Sequence, residues 1–581
     1  MTGAPAATDW LARRAELSPE RVALIDAERG ERISFHRWNA RAERAAHRLV
    51  AAGIGRGDRV AVLAGNAPPV LDLLFACGKL GAVFMPLNWR LAGPELAAQI
   101  EHAQPAALCC DDDMAERGRE LDAPVRLSLA ELADAPERGA LPRPALTHAD
   151  PWVLCYTGGS TGAPRGVVQS HGGILWNAIN TVSSWDLSAA DVAIVNAPLF
   201  HTGGLHVFAT PLVHAGGASI LCRRFDPDQV FELVAGGEAT LLFGVPTMLL
   251  MLEQHARWGA AQLSRLRLVI SGGAPAPTRL FESFFARGVD LRTGYGLTEA
   301  GPNNFWLPGQ LARAKPGSVG HPLLHVEARL VDGDRVIDRT DAVGELELRG
   351  PHVMAGHFRD PEATAAAVGQ GGWLATGDLA RRDGDGAYWI VGRRKEMFIS
   401  GGENVYPAEV ESVLCDHPAV AAAAVVGVPD PVWGEVGVAF VALREPGAPA
   451  DARAGAELAQ FLAGRLARYK LPRRYELVPE LPRTGAGKVD RADLRRRAAE
   501  MTIASSSPSA PSAPPPPAVA QPDAPVSSSE PGPARSLLGS SAPASTPHAA
   551  SAAGPASGST GPASGCGVPP LPVTPKNFSA R

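Results

Sequence analysis

The sequence predicts an α/β protein whose large N-terminal domain contains doubly wound, mostly parallel sheets. Between about residues 20 and 300, short apolar runs alternate with segments of helical spacing, and this alternation is typical of consecutive strand–helix units. The chain has 581 residues, 45% of them hydrophobic, so it can bury several cores. The strands predicted for this part are 59–64, 83–87, 106–110, 191–197, 218–222, 241–245 and 266–271.

A change of pattern near residue 318 predicts antiparallel strands. Apolar and polar side chains alternate in 326–330 and 345–349, as expected for strands with one exposed face. These strands predict a small β-barrel or sheet that closes the large domain. We predict that this domain spans residues 1–392.

A smaller α+β domain is predicted over residues 393–500, an ordinary size for a domain. Its predicted elements are a helix from Tyr406 through Val413, strands at 421–428 and 436–443, and a helix from about Ala456 to Ala467. Lysines and arginines concentrate between Arg465 and Arg497, where they could attract a polyanionic cofactor. Most of these charges are expected to form a solvated face.

The last segment, 501–581, has a different composition. It holds 18 of the 52 prolines, many Ser, Ala and Gly residues, and a single aromatic residue, Phe578. Such a segment cannot bury enough apolar surface to offset the entropy lost on ordering. We therefore expect a disordered Pro/Ser/Ala-rich tail.

Composition excludes several classes of protein. The net charge of −5 argues against general affinity for nucleic acid. We expect no signal peptide and no transmembrane segment, because no basic region precedes an apolar run at the start and no apolar run reaches about 18 residues. The expected location is therefore cytoplasmic. The seven cysteines form no C-x-x-C pair or Cys/His cluster, so neither structural zinc nor a disulfide framework is predicted.

The loop 156–166 has the composition of a phosphate cradle. It combines four glycines with three hydroxyl side chains, Thr157, Ser160 and Thr161, and one cation, Arg165. Glycines allow successive N–H groups to converge on phosphate oxygens, while the hydroxyls add donors and the arginine adds charge. The sequence therefore predicts a site for a polyphosphate nucleotide.

The flanking residues of this loop exclude a P-loop. The apolar run 152–156 predicts a strand that leads into the loop, and helical spacing begins at about His171. A Walker A loop would need Gly-Lys and then Ser or Thr at the start of a helix, but Pro164-Arg165-Gly166 is followed by strand-like valines. A P-loop kinase or GTPase is therefore disfavoured.

The loop resembles the signature loop of the adenylate-forming superfamily, which includes acyl-CoA synthetases, adenylation domains of peptide synthetases and beetle luciferases. Three further matches follow in the family's order: Gly294–Glu299, Thr376–Asp378 leading to Gly392–Glu396, and Pro482–Lys488. The resemblance covers about residues 10–498, and four ordered matches are far more specific than one glycine-rich loop. It implies the small β-barrel and makes the 393–500 domain a mobile one.

The resemblance also implies that ATP and Mg²⁺ bind. Lys488 matches the catalytic lysine, Glu299 the Mg²⁺ ligand and Thr298 a phosphate-contacting hydroxyl. Tyr295 matches the aromatic residue on adenine, and Asp378 the carboxylate that binds the ribose hydroxyls. The full set implied for ATP and AMP is Thr157, Gly158, Gly159, Ser160, Thr161, Gly162, Arg165, Gly273, Ala274, Pro275, Tyr295, Gly296, Asp378 and Arg393.

Other positions are implied for the hinge, the thiol and the acyl group. Lys395 matches the hinge residue, about which the small domain of acyl-CoA synthetases rotates after adenylation. That rotation would bring the Gly401-Gly402 turn beside the channel for CoA. The predicted acyl-pocket residues are His201, Gly203, Val245 and Asn303.

The acyl segment favours an acid without an α-amine. Relatives that adenylate amino acids usually carry an aspartate near the position of His201, to pair with the substrate ammonium, and this chain has none there. The mostly apolar surroundings favour a fatty or aryl acid.

One residue departs from the family pattern. The family usually has Pro-Lys-Gly where this chain has Pro164-Arg165-Gly166. Arginine keeps the charge but replaces a compact ammonium with a planar fork. We expect altered handling of ATP rather than lost activity.

The sequence thus predicts an ATP-dependent acyl-CoA synthetase, an AMP-forming acid–thiol ligase that uses ATP, Mg²⁺ and CoA as co-substrate. Three alternatives stay open: a stand-alone adenylating enzyme that loads a carrier protein's phosphopantetheine, a luciferase-like oxidase, and a degenerate scaffold that only binds nucleotide. The last is disfavoured because Glu299, Asp378, Lys395 and Lys488 are all retained. A homodimer is also left open.

Overall fold

A computed structural model describes residues 5–133, 141–158, 164–444, 452–484 and 488–505. The predicted disordered tail lies outside the described residues from 506 onward. No helix within the described ranges is long and apolar enough to cross a membrane.

The N-terminal region alternates helices and strands, as predicted. Its helices are α1 (Trp10–Leu17), α2 (Phe35–Ala51), α3 (Pro68–Leu80), α4 (Gly93–Ala103), α5 (Ala115–Arg119), α6 (Leu129–Ala133), α7 (His171–Ser184), α8 (Thr202–Gly204), α9 (Thr210–Ala215), α10 (Pro227–Ala235), α11 (Pro246–Gln254) and α12 (Thr278–Ala286). Its strands are β1 (Val22–Asp26), β2 (Arg32–Ser34), β3 (Arg59–Leu63), β4 (Val83–Pro86), β5 (Ala107–Cys110), β6 (Val125–Ser128), β7 (Pro151–Gly158), β8 (Pro164–Ser170), β9 (Val192–Val195), β10 (Ala218–Leu221), β11 (Leu241–Gly244), β12 (Leu268–Ser271) and β13 (Leu291–Thr293). All seven predicted strands of this part are present.

The intermediate region carries short strands and two helices. Its elements are β14 (Phe305–Trp306), α13 (Gly309–Ala312), β15 (His321–Pro322), β16 (Glu327–Asp332), β17 (Arg335–Val336), β18 (Val343–Arg349), β19 (Gly356–His357), α14 (Pro361–Ala367), β20 (Leu374–Arg382) and β21 (Tyr388–Arg393). The C-terminal elements are β22 (Phe398–Ser400), β23 (Glu403–Val405), α15 (Pro407–Cys415), β24 (Val420–Asp430), β25 (Gly434–Leu443), α16 (Ala452–Ala463), β26 (Arg474–Leu477) and α17 (Arg491–Ser505).

Two seven-stranded sheets form the large region. One has the order β19-β8-β7-β4-β3-β5-β6, in which β7, β4, β3, β5 and β6 run parallel. The other has the order β13-β12-β11-β9-β10-β1-β2 and is parallel from β13 to β1. Apolar residues of both sheets share one core, which includes Trp38, Phe84, Leu241 and Ile270. Strands such as β4, β10 and β12 are buried along their whole length, which explains why their sequences are nearly continuous apolar runs.

The predicted small β-barrel corresponds to a five-stranded antiparallel sheet of order β17-β16-β18-β20-β21 and a β14–β15 ribbon. The two are joined by a bridge between Gly320 and Tyr388. Leu346, Leu348 and Leu374 bury this sheet against the large core. The alternating pattern seen in the sequence therefore marks its buried face.

The C-terminal strands and helices have a core of their own. Val405, Val410, Leu414, Ala439 and Leu458 form its centre. The helix predicted from about Ala456 to Ala467 begins earlier, at Ala452, and ends at Ala463. It stops before Gly464, a residue with low helix propensity. The bounds 1–392, 393–500 and 501–581 stay predictions.

Candidate active site

Four of the predicted site segments follow the carboxyl ends of adjacent parallel strands. The strands β13, β12, β11 and β9 are neighbours in the sheet and share one direction. They lead into Gly294–Glu299, Gly272–Pro275, Val245 and the 198–204 segment, respectively. Carboxyl ends of parallel strands meet at one edge of a sheet, which is where ligands bind in open α/β folds.

The phosphate loop connects two antiparallel strands, β7 and β8. Thr157 pairs with Arg165 and Gly158 with Pro164, so both ends of the loop are held together. Gly159, Ser160, Thr161 and Gly162 lie outside the described residues. Their assignment to phosphate stays a prediction. The hairpin leads directly into α7, where the Ser170 hydroxyl accepts a hydrogen bond from the N–H of Gly173 at 3.0 Å.

The Thr298–Glu299 turn is tied to this hairpin. Gln169, on β8, donates a side-chain hydrogen bond to the carbonyl of Thr298 at 3.1 Å. Glycine is required just before the turn, because a Cβ added to Gly296 would lie 2.2 Å from the carbonyl oxygen of Pro302. The turn that carries the predicted magnesium ligand therefore has a fixed position beside the phosphate hairpin.

Asp378 forms the second fixed point of the site. The Tyr295 hydroxyl donates to its Oδ2 at 2.7 Å, and Arg393 Nε lies 3.1 Å from its Oδ1. Burial raises the pKa of Asp378 from its usual value, while Arg393 and the Tyr295 hydrogen bond act to lower it. The predicted adenine and ribose residues are thus linked to each other, which the sequence did not indicate.

Lys488 reaches the same cluster from the C-terminal region. Its loop is closed by a bridge between Arg483 and Val489, and the N–H of Thr484 donates to the carbonyl of Lys488 at 2.8 Å. Residues 485–487 of this loop are outside the described ranges. Although Lys488 keeps access to solvent, its pKa is lowered, chiefly by desolvation and then by the positive charge of Arg393.

The charges around Lys488 identify its position in the site. Asp378 and Glu299 act to raise its pKa, so both carboxylates of the predicted ATP site lie close enough to influence the ammonium. Lys488 in turn helps to lower the pKa of His201, in the acyl segment, to about 4, with desolvation by burial as the larger cause. His201 is therefore neutral at neutral pH. The residues predicted for the ribose, the metal and the acyl group thus lie within electrostatic range of the predicted catalytic lysine.

Phe243 joins the acyl and adenine walls. A Cβ added to Gly203 would lie 3.2 Å from Phe243 Cε1, and one added to Gly272 would lie 3.2 Å from Cε2 of the same ring. Val245 Cγ1 is similarly 3.5 Å from the Cβ position of Gly273. Gly273, Ala274 and Pro275 are exposed at the cleft surface. Glycines on both sides of this ring let Phe243 pack closely against the two segments.

Asn303 has a different position from the one predicted. Its side chain is 1% exposed, and its amide donates to the Thr181 hydroxyl at 2.8 Å and to the carbonyls of His206 and Val207. These bonds connect α7 to the π-helical turn that follows the acyl segment. We therefore expect Asn303 to support the acyl segment from behind rather than to contact the acyl group.

The hinge and thiol positions lie on exposed turns. Lys395 is exposed between β21 and β22, in a turn where the N–H groups of Glu396 and Met397 both donate to the carbonyl of Arg393. Gly401 and Gly402 connect β22 to β23 with φ of +62° and +86°, which glycine adopts without strain. Their roles in rotation and CoA binding stay predictions.

His357 belongs to the site but was missed by sequence reasoning. It lies on β19 beside Val167 of β8. Burial lowers its pKa, Glu299 acts to raise it, and Arg165 acts to lower it, so His357 lies within electrostatic range of the predicted metal ligand and of the predicted phosphate-binding arginine. No motif surrounds this histidine in the sequence, and only the pairing of β19 with β8 reveals its location.

The donor set fits magnesium bound through a nucleotide. In the part of the chain that the structure describes, no group of three or more His, Cys, Asp or Glu side chains could hold a metal ion. A single carboxylate, Glu299, beside the phosphate hairpin is instead how proteins commonly hold Mg²⁺ together with phosphate oxygens. Fold and site together define an adenylate-forming enzyme.

Comparison with known proteins gives the same class. The model of the AMP-binding enzyme family matches residues 11–358, and that of the AMP-binding enzyme C-terminal domain matches residues 409–488. The chain therefore belongs to the AMP-binding enzyme family.

The chain matches known relatives over nearly the whole length of each relative. Feruloyl-CoA synthase of Amycolatopsis sp. is 41% identical over 492 residues, 84% of this chain and 98% of the relative. Indoleacetate–CoA ligase of Aromatoleum aromaticum is 40% identical over 514 residues, 85% of this chain and 99% of the relative. The o-succinylbenzoate CoA synthetase of Bacillus subtilis, solved with its acyl-adenylate intermediate, has a TM-score of 0.77 and 32% identity over 84% of this chain and 98% of its own. The same enzyme has also been solved with ATP and magnesium.

Proposed function

We propose that the protein is an AMP-forming carboxylic acid–CoA ligase that acts on an aryl acid. The observation that carries this proposal is that Lys488 lies within electrostatic range of Glu299, Asp378 and His201, which belong to the predicted ATP and acyl positions. The family, whose relatives include CoA ligases and an acyl-adenylate complex, supports the same reaction class.

The first half-reaction makes an acyl adenylate. A carboxylate oxygen attacks the α-phosphorus of ATP, the bond from that phosphorus to the β-bridging oxygen breaks, and pyrophosphate leaves with the electron pair. Two anions must approach, so positive charge is needed where they meet. Lys488 supplies that charge, while Asp378 holds the ribose and Tyr295 packs on adenine. Mg²⁺ would be held by Glu299 and phosphate oxygens, where it would neutralise phosphate charge.

The second half-reaction transfers the acyl group to sulfur. The CoA sulfur attacks the carbonyl carbon, the bond from that carbon to the phosphate oxygen breaks, and AMP leaves while the thiol proton passes to solvent. Lys488 is not needed for this step, because the reacting bond no longer involves a nucleophilic carboxylate. We propose that the C-terminal domain rotates at Lys395 and brings the Gly401-Gly402 turn to the thiol path.

An aryl acid fits the acyl segment better than an amino acid. His201 is neutral near pH 7, and the neighbouring side chains include the rings of Phe200 and Phe243. Ring surfaces of this kind favour flat apolar groups. The two relatives described above, at 41% and 40% identity, carry the name of an aryl acid. Free CoA is the proposed acceptor, whereas a carrier-protein acceptor, a homodimer and a cytoplasmic location stay predictions.

Gly203→Ala is expected to lower kcat/KM for aryl acids by about 10-fold or more, because the new methyl would lie 3.2 Å from Phe243 Cε1 and narrow the slot. A short aliphatic acid should be affected much less. AMP release with both acids measures the difference. Gly259→Ala is the matched control, since a Cβ there has no atom within 4 Å. An equal loss for both acids would remove Gly203 from the acyl pocket.

The reaction class is tested by AMP release across a panel of aryl, fatty and amino acids, with and without CoA. We expect CoA-dependent turnover that is fastest with aryl acids. Turnover that requires a phosphopantetheinylated carrier protein instead of CoA would support the stand-alone adenylating enzyme. Light emission or oxygen consumption would support an oxidase. No AMP with any acid would refute the proposal.

A further inference from the structure

An arginine of the large region contacts the end of a helix in the C-terminal region. Arg279, the second residue of α12, donates from Nε to the carbonyl of Cys415, the last residue of α15, at 3.1 Å. Its NH1 group lies 3.2 Å from Glu253 Oε2, on α11. The last carbonyls of a helix have no partner within the helix, and the negative end of the helix dipole lies there. A cation is therefore a favourable partner at this position.

A carboxylate at the end of α15 lies near the start of α12. Asp416 is the C-cap residue of α15. The backbone N–H groups of Thr278 and Arg279, at the start of α12, act to lower its pKa, although burial makes the net shift upward. A carboxylate is a favourable partner for the first N–H groups of a helix. Asp416 therefore lies near the start of α12, while the hydrogen bond that joins the two helices is the one from Arg279 to the carbonyl of Cys415.

The charges that surround this contact come from both regions. Arg444 directly follows β25. Its pKa is lowered by burial and by the positive charge of Arg279, while Glu253 acts to raise it. Glu253 therefore lies between two arginines, one from each region. Glu282, on α12, opposes the carboxylate of Asp416. Arg279 is thus paired with Glu253 of the large region and with the carbonyl of Cys415 of the C-terminal region.

This contact is present while Lys488 lies within electrostatic range of Glu299 and Asp378. Arg279 takes no part in that cluster, because its described partners are Glu253 and Cys415. We infer that Arg279 is a positioning residue for acyl-AMP formation: its contact with the end of α15 holds the C-terminal domain in the arrangement that places Lys488 in the ATP site. The inference rests on the proposed function, since a rotation between half-reactions must break this contact.

Arg279→Ala in the full-length protein tests the inference through the two half-reactions. Acyl-AMP formation, followed as pyrophosphate release in a single turnover, is expected to fall about 10-fold, since hydrogen bonds from charged groups are among the stronger ones. Thioester formation from supplied acyl-AMP and CoA should be unchanged or faster. Arg279→Lys, which keeps a charged donor, should restore part of the adenylation rate.

Arg287→Ala is the matched control. Arg287 directly follows α12, but its guanidinium donates to the carbonyls of Gly259 and Ala261 within the large region. This variant should affect both half-reactions alike. A proportional loss of both half-reactions in Arg279→Ala, or no loss of adenylation, would overturn the inference.

A measurement that needs no acid separates this inference from the proposed function. Lys395 and Arg394 are exposed in the turn between the two regions. Tryptic cleavage at this turn should be several-fold faster in Arg279→Ala than in wild type or Arg287→Ala, because the domains would be held together less firmly. Unchanged cleavage would overturn the inference even if the wild-type protein formed AMP. Faster cleavage without any AMP formation would leave the contact supported and the proposed function refuted.

Discussion

Replacing Lys488 with alanine is expected to reduce acyl-AMP formation by about 10²- to 10³-fold, the usual effect of removing one group that stabilises charge in a transition state. Thioester formation from supplied acyl-AMP should change by less than about 3-fold. The reason is that, in the proposed mechanism, this lysine supplies positive charge where the carboxylate and the α-phosphate meet, which happens in the first half-reaction only; Glu299 and Asp378 lie within electrostatic range of it. Single-turnover pyrophosphate release and acyl-CoA formation measure the two steps separately.

Lys470→Ala provides the control for this experiment. Lys470 belongs to the same C-terminal region, but its Nζ pairs with Glu409 at 2.6 Å rather than with the site. Both half-reactions of this variant should stay near the wild-type rate. Equal losses of the two half-reactions in Lys488→Ala would contradict the role assigned to that lysine.

Asp378→Asn is expected to lower kcat/KM for ATP by about 10²-fold. Asparagine keeps the volume and can still accept from Tyr295, but it loses the charge that strengthens hydrogen bonds from the ribose hydroxyls and the pair with Arg393. We would measure kcat/KM for ATP and for 2′-deoxy-ATP with both the wild type and the variant. The four values form a double-mutant cycle that isolates the contact with the ribose 2′-hydroxyl. The 2′-deoxy substrate should be penalised strongly in wild type and only weakly in the variant.

Asp383→Asn is the matched substitution outside the site. Asp383 directly follows β20, the strand that carries Asp378, but its carboxylate pairs with Lys315 at 2.6 Å. This variant should keep the wild-type KM for ATP. The same 2′-deoxy penalty in wild type and in Asp378→Asn would show that Asp378 does not hold the ribose.

The fold could be predicted because its signals are local. The seven predicted strands of the two large sheets are apolar runs bounded by turn residues, and the switch to alternation at 326–330 and 345–349 marks a sheet with one buried face. The catalytic and nucleotide positions could be proposed for a similar reason, since each lies within a short motif. The start of helix α16, in the C-terminal region, was predicted less accurately, because the sequence signals for helix ends are weak.

Contacts between motifs could not be predicted, because they depend on packing over long stretches of chain. Tyr295 and Asp378 are 83 residues apart, Gln169 and Thr298 are 129 apart, and none of these residues indicates its partner. Asn303 shows the opposite difficulty. A polar residue beside a motif suggests a pocket, but only the tertiary structure shows which way its amide points.

Arg165 illustrates both limits. Its backbone pairs with Thr157, as a hairpin beside a phosphate loop requires, and its charge acts on the pKa of His357. The side chain is exposed at the edge of residues outside the described ranges, 159–163. The expectation of altered ATP handling therefore stays a prediction, which KM for ATP in Arg165→Lys would measure.

The most direct test of an acyl-adenylate route follows one oxygen atom. An aryl acid labelled with ¹⁸O in both carboxylate oxygens is incubated with the enzyme, ATP, Mg²⁺ and CoA, and the AMP is analysed by mass spectrometry. The proposed route transfers one labelled oxygen to each AMP, because the attacking carboxylate oxygen stays with phosphorus when sulfur takes the acyl group. AMP without label, or label found in orthophosphate or pyrophosphate instead, would contradict it.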